Sequence, residues 1–147
     1  MKKVMMLHGV NHNMFGKRDP KQYGTITLAE INQSLFDLGK ELGIDVDPYQ
    51  SNSEGEFVDF IHKAVLEKYN GVLINAGAWT HYSYGIRDAL MMLECPLIEL
   101  HMSNIHARDE FRHHSVISDI ASGVIVGLGA DVYPLGLRAL YNRNFVK

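Results

Sequence analysis

A chain of 147 residues with 46% apolar side chains has the material for one domain around one core, and too much of it for a disordered chain. The formal net charge of −3, with Lys and Arg scattered rather than gathered in a stripe, argues against nucleic acid as a partner. The single cysteine, Cys95, rules out a disulfide framework within the chain, no apolar run reaches membrane-spanning length, and the opening MKKVMMLHG is too short for a signal peptide, so a soluble cytoplasmic protein is expected.

Apolar and amphipathic runs alternate along the chain. Residues 3–9 (KVMMLHG) read as a buried strand, followed by a long loop to Gly24. In 27–43, Leu28, Ile31, Leu35, Leu38 and Leu42 fall on one helical face. Thr27 with Glu30 forms a capping-box pattern, and Gly43 is a helix stop. Residues 44–50 (IDVDPYQ) alternate like a strand, which Pro48 assigns to a sheet edge. Residues 54–69 carry Phe57, Phe60, Ile61, Val65 and Leu66 at helical spacing.

A second buried strand is expected at 71–77 (GVLINAG), then a helix over 83–94 closed by Cys95 and Pro96. Cys95 itself reads as a small buried hydrophobe. Buried strands follow at 96–104 and 123–129, and a terminal helix at 133–145. The alternation predicts an α/β fold, a flavodoxin-like doubly wound five-stranded parallel sheet with helices on both faces, in a single domain over 1–147. The stretch GLGADV (127–132) looks like the start of a dinucleotide fingerprint, but it lacks the third glycine and no strand follows; a tight strand-to-helix turn fits better.

In such sheets ligands bind beyond the carboxyl ends of the strands. The residues that follow the predicted strands are Asn11, His12 and Asn13, then Gln50, Ser51 and Asn52, then Asn75, Thr80 and His81, then His101, Ser103 and Asn104. Turn chemistry alone accounts for Ser51, Asn52 and Asn104. It does not account for His101, which shares a strand face with Glu99. A carboxylate beside an imidazole fixes its tautomer and supports its protonated form, as in an oriented general acid or base.

Arg18, Arg108 and Arg112 flank the same edge. If ARDEFRHH is helical, Arg108 and Arg112 share a face, either as a solvated surface paired with Asp109 and Glu110 or as a clamp for a carboxylate or phosphate. Eight histidines raise the question of a metal, but no HExxH or Cys/His ligand spacing is present, and His106, His113 and His114 lie among arginines. In the first loop, Arg18 and Tyr23 lie between Gly16 and Gly24. A phenol is a weak base at neutral pH, and a fixed guanidinium stabilises its anion. Tyr23 is therefore either a base on a mobile lid, with His101 as acid and Asn11 at an oxygen that gains charge, or a side chain packed beneath the loop.

Five stretches carry a family pattern: GVNHNMFGKRDPKQYG (9–24), QSNSEGEFVDFIH (50–62), NAGAWTHYSYGIRDAL (75–90), PLIELHMSNIHARDEFRHHS (96–115) and GVIVGLG (123–129). In this order they resemble the type II 3-dehydroquinate dehydratases (3-dehydroquinases) over essentially the whole chain. The resemblance implies a flavodoxin-like fold and a homo-oligomer, a dodecamer built from trimers. It implies loss of water from 3-dehydroquinate to give 3-dehydroshikimate, in the shikimate route or in quinate breakdown. The elimination would be anti, through an enolate, with no cofactor, metal or lysine Schiff base.

The resemblance makes Tyr23 the base and His101 the general acid. Arg18 would activate Tyr23, Asn11 would hold a water at the enolate oxygen, and Glu99 would orient His101. Asn75, His81 and Arg112 would hold the substrate's hydroxyls and carboxylate, with the backbone at Met102 and Ser103 and the Ser103 hydroxyl on the carboxylate. Arg108 would help order the lid, and Asp88 would reach the site of a neighbouring subunit. The chain departs from the pattern at Val10, where proline is usual, and at His12, Met14, Phe15, Tyr82, Tyr84, Val116 and Asp119. These positions bear on subunit contacts and lid motion. Two other classes stay open: a binding module for a small anion, and an assembly or regulatory protein on the same scaffold. A retained Tyr23, Arg18 and His101 argues against the first, since binding alone needs no activated tyrosine.

Overall fold

In the computed structural model, which describes residues 1–145, the strands are β1 (Lys2–His8), β2 (Ile44–Gln50), β3 (Gly71–Asn75), β4 (Leu97–His101) and β5 (Gly123–Val126). They form one sheet in the order β2-β1-β3-β4-β5, every adjacent pair parallel. Alternation along each strand sorts side chains to two faces. From β1, Val4 and Met6 join the core that covers α2 (Leu28–Leu42) and α5 (Val132–Leu140). Met5 and Leu7 join the opposite core, with α3 (Glu54–Leu66) and α4 (Tyr84–Leu90). The predicted doubly wound sheet is therefore the observed one, with β2 and its Pro48 at one edge and β5 at the other.

Local chemistry sets the helix ends. The Thr27 hydroxyl accepts from the Glu30 N–H at 3.2 Å, and the Glu30 carboxylate accepts from the Thr27 N–H at 3.1 Å, which completes the expected capping box. Gly43 closes α2 at φ +71°, where a side chain would be strained. Gly39 lets α2 lie against β2, since a Cβ there would sit 2.6 Å from the Ile44 carbonyl oxygen.

Several elements are shorter than predicted. β3, β4 and β5 stop at Asn75, His101 and Val126, because the residues beyond leave the sheet for its ligand edge. α4 ends at Leu90, and its expected last turn is a series of tight turns before Pro96. α3 ends at Leu66, and Lys68 at φ +53° reverses the chain. The terminal helix is α-helical to Leu140 and then makes one π-type turn, Tyr141–Phe145. Gly127 (φ +86°) and Gly129 (φ +62°) form the tight turn expected at 127–132. Arg108 and Arg112 do not share a helix: Arg108 is extended, Asp109 breaks the run, and only a 3-10 turn, Glu110–His113, follows. Cys95 is partly rather than fully buried, and burial pushes its thiol up to about 11.

A candidate active site at the carboxyl edge of the sheet

The loops after β1, β2 and β3 are tied to one another by hydrogen bonds. The Gly9 N–H donates to the Asn75 carbonyl at 2.8 Å, and a Cβ on Gly9 would lie 2.4 Å from the Ala76 carbonyl oxygen, so only glycine permits this approach. Asn11 adopts a left-handed conformation (φ +70°), which asparagine tolerates better than most residues, and its N–H donates to Asn52 Oδ1 at 2.9 Å. Gln50 Nε2 donates to the Gly9 carbonyl at 3.1 Å. Gln50 and Asn52, polar residues at the end of β2, thus act as loop anchors.

Glu99 and His101 lie on one face of β4, both buried. The carboxylate Oε2 is 2.5 Å from His101 Nε2, while Oε1 accepts from the hydroxyls of Ser118 (2.5 Å) and Ser115 (3.2 Å). Burial opposes the Glu99 charge, but the hydrogen bond and charge of His101, with the two serines, outweigh it and hold the carboxyl below its ordinary value. The ionised carboxylate accepts the Nε2 proton, so Nδ1 is the ring nitrogen left for chemistry. His81 stacks near His101, ring centroids 6.3 Å apart, and its Nδ1–H donates to the His114 carbonyl at 2.8 Å. Burial, helped by the charges of His101 and Arg112, holds His81 below the ordinary imidazole value despite that backbone bond.

Tyr23 is the last residue of a one-turn helix, α1 (Pro20–Tyr23), not part of an irregular loop. Asp19 caps α1 by accepting from the Lys21 N–H at 3.0 Å, Pro20 starts it, and Gly24 (φ +66°) ends it. The phenol oxygen accepts from Arg18 Nη2 at 3.0 Å and Arg108 Nη1 at 2.9 Å. The Arg18 guanidinium also lies 3.9 Å over the ring, and Phe15 packs on it at 5.8 Å between centroids. Tyr23 is thus packed by the loop and also faced by two cations. Arg108, read from the sequence as part of an anion clamp and as an orderer of the lid, reaches the phenol itself and also donates to Ser103 Oγ at 3.1 Å.

These elements enclose a cleft of about 540 Å³, counting its open mouth. Asn11, Arg18, Tyr23, Asn75, His81, His101, Met102, Ser103, Arg108 and Arg112 line it, with Val10, His12, Gly77, Ala78 and Ile105. Glu99 stands behind His101, and Asp88 is exposed on α4, outside this cleft. Among the described residues three guanidiniums and no carboxylate line the space, so it favours an anion. Among the described residues no group of three His, Cys, Asp or Glu is placed to hold a metal ion.

Some contributors lay beyond the reach of the sequence. Asn75 Nδ2 donates to the Tyr133 hydroxyl at 3.0 Å, and Asn75 Oδ1 accepts from the Gly77 N–H at 3.2 Å, which fixes the amide. Burial, against the opposing Asn75 bond, pushes the Tyr133 phenol up and keeps it neutral. A buried tyrosine needs a partner for its hydroxyl, but nothing in the sequence points from Tyr133 to Asn75. Ser115 and Ser118 were equally silent as partners of Glu99.

A family model described as dehydroquinase class II matches residues 2–141. The chain is 63% identical over 139 residues to the 3-dehydroquinate dehydratase of Leptothrix cholodnii, covering 95% of this chain and 93% of that protein. It is 59% identical over 142 residues to the same-named protein of Syntrophotalea carbinolica, with 97% and 96% covered. The crystal structure of type II dehydroquinase from Propionibacterium acnes superposes with a TM-score of 0.93 at 44% identity, over 97% of each chain. With the strand order, the tied loops and the arginine-lined cleft, these matches place the chain in the class II dehydroquinase family.

Proposed function

We propose that this chain is a type II 3-dehydroquinate dehydratase, a hydro-lyase that removes water from 3-dehydroquinate to give 3-dehydroshikimate. The observation that carries the reading is one cleft that holds a phenol oxygen faced by two guanidiniums and an imidazole backed by a buried carboxylate.

Two cationic donors stabilise negative charge on the Tyr23 oxygen. As phenolate, Tyr23 takes the proton from the carbon beside the substrate's ketone, and the electron pair moves to the ketone oxygen as an enolate. Asn11 serves that oxygen through a held water. The enolate then collapses to a conjugated double bond and expels the β-hydroxyl, which takes a proton from His101 and leaves as water. His101 gives this proton from Nδ1, while the Glu99 carboxylate stabilises the imidazolium through Nε2. The cycle closes when the Tyr23 proton and the His101 vacancy exchange with solvent. Arg112, the Ser103 hydroxyl and the backbone at Met102 and Ser103 hold the substrate carboxylate. Asn75 and His81 bind ring hydroxyls, the neutral His81 through its Nε2 lone pair.

The reading includes a cytoplasmic, cofactor-free, single-domain enzyme in the shikimate route or in quinate breakdown, assembled as a dodecamer of trimers. Exposed Tyr82, Tyr84, Met91, Met92, Phe111 and Val124 supply apolar surface for subunit contacts. Asp88 is exposed on α4, free to reach a neighbour's cleft.

The test is direct. Purified protein is mixed with 3-dehydroquinate without added metal, and the ultraviolet absorbance of the conjugated product is followed. Rapid product formation, indifferent to chelator and to borohydride, is expected. Binding without turnover would leave a module for small anions in place of an enzyme.

A further inference from the structure

His12 has no role in the chemistry described above, yet it lies in the wall of the cleft and its side chain is almost fully buried. Its ring stacks on Phe15 with 4.6 Å between centroids. The Gly9 N–H, already bonded to the Asn75 carbonyl, also points at His12 Nδ1 at 3.0 Å. A donor at that distance requires a bare Nδ1, so Nε2 carries the hydrogen. Burial, reinforced by the charge of Arg18, holds His12 well below the ordinary imidazole value, so the ring is neutral. Nε2 lies against Gly77, 3.2 Å from where a Cβ on that glycine would be. Among the described residues Nε2 has no hydrogen-bond partner, although it belongs to a residue that lines the cleft.

An N–H donor on the cleft wall with no acceptor among the described residues is available to an acceptor that enters the cleft. The arginines of the cleft are cationic donors, suited to a carboxylate. A neutral donor suits a hydroxyl, carbonyl or enolate oxygen, and it adds no further charge beside Arg18. Its direction is set by the Gly9 contact and the Phe15 stack rather than by a flexible side chain, so it discriminates by position.

We propose that His12 is a substrate-contacting, specificity-determining residue, whose Nε2–H donates to an oxygen on the substrate ring beside Asn11. This rests on the reading of the cleft as a 3-dehydroquinate site. Substrates that carry no oxygen at that position leave the donor unpaired and are disfavoured.

The test compares His12→Phe with His12→Gln, using steady-state turnover of 3-dehydroquinate. Phe keeps an aromatic ring on Phe15 but removes the donor; Gln gives up the ring and restores an N–H near the Nε2 position. His12→Phe is expected to lose about 10- to 100-fold in kcat/KM, and His12→Gln to stay within about fivefold of the parent. A His12→Phe enzyme within about twofold of the parent, or a Gln variant as impaired as the Phe variant, would overturn the assignment. The unmodified protein gives an independent reading. With 15N-labelled histidine, the His12 Nε2–H resonance is expected to shift when 3-dehydroshikimate is added, with the tautomer unchanged; a resonance that does not move overturns the contact. Failure of the unmodified protein to convert 3-dehydroquinate would overturn the reading of the cleft itself. Turnover with an indifferent His12→Phe would overturn the role of His12 alone.

Discussion

Glu99 and His101, two positions apart on β4, share a hydrogen bond of 2.5 Å that leaves only one imidazole nitrogen, Nδ1, for the cleft. In the proposed reaction that nitrogen must carry a proton to the leaving hydroxyl, and the carboxylate makes the doubly protonated ring affordable. Glu99→Gln keeps the shape and an acceptor for Nε2–H but removes the charge. A loss of about 10- to 100-fold in kcat is expected, within the range for general acid catalysis. The loss should fall on kcat rather than KM, because Glu99 stands behind His101 and does not line the cleft. An unchanged kcat with a lowered unfolding midpoint would show that Glu99 only supports the fold.

Removing the phenol removes the base. Tyr23→Phe retains the ring against Phe15 and Arg18, so unfolding should be little changed while kcat falls by about 10²- to 10⁴-fold. Near-normal turnover would refute the base assignment. Arg108→Ala should lower kcat by about tenfold or more, since the phenol oxygen then keeps one cationic donor and Ser103 Oγ loses another. Steady-state kinetics beside thermal unfolding separates these effects from loss of structure.

Arg112 lines the cleft and meets Asp109 only at a long 3.4 Å, so its charge remains available to an anion. Arg112→Ala should raise KM by about 10- to 100-fold, the scale of a lost charge-assisted hydrogen bond, with a smaller change in kcat. Inhibition by 3-dehydroshikimate should weaken in parallel. A variant that loses kcat at unchanged KM would move Arg112 from binding to transition-state stabilisation.

His8 gives a stability signature that does not depend on the reaction. It is fully buried, and Nε2 donates to Asn32 Oδ1 at 2.8 Å, while Nδ1 has no partner among the described residues. Burial lowers it from 6.5 to about 4, against the opposing Asn32 bond. Between these values the unfolded chain binds a proton that the folded chain refuses. Stability from this group is therefore full above pH 6.5, declines as the pH falls, and levels off below pH 4. The shift corresponds to about 3 kcal/mol. Urea unfolding at a series of pH values should show this slope in the parent and lose most of it in His8→Leu. Glu99 acts in the same sense at lower pH, since its depressed carboxyl contributes stability that is lost as the pH falls below 4.5.

The sheet was legible because its evidence is local. Four consecutive buried apolar residues in β1, the Thr27–Glu30 box and Gly43 announce their elements within a few positions. The members of the cleft were legible as well, because polar residues at strand ends converge once the strands are known to be parallel. The links between them were not. Tyr23 and Arg108 meet across 85 positions, and Asn75 and Tyr133 across 58, with no periodicity to connect them. The helical spacing read into Arg108 and Arg112 failed for a different reason: Asp109 adopts an extended backbone between them, and the two arginines converge through a turn.

Tyr23 takes one guanidinium from its own segment and the other from the body of the protein. Arg18 directly precedes α1 in the chain and stacks on the ring; Arg108 belongs to the residues after β4. Any outward swing of the segment splits the pair. The phenol oxygen then loses half of its counter-charge at the moment water gains entry. In the proposed reaction the two hydrogen bonds form an interlock: the base has both of its cationic donors only behind a shut door.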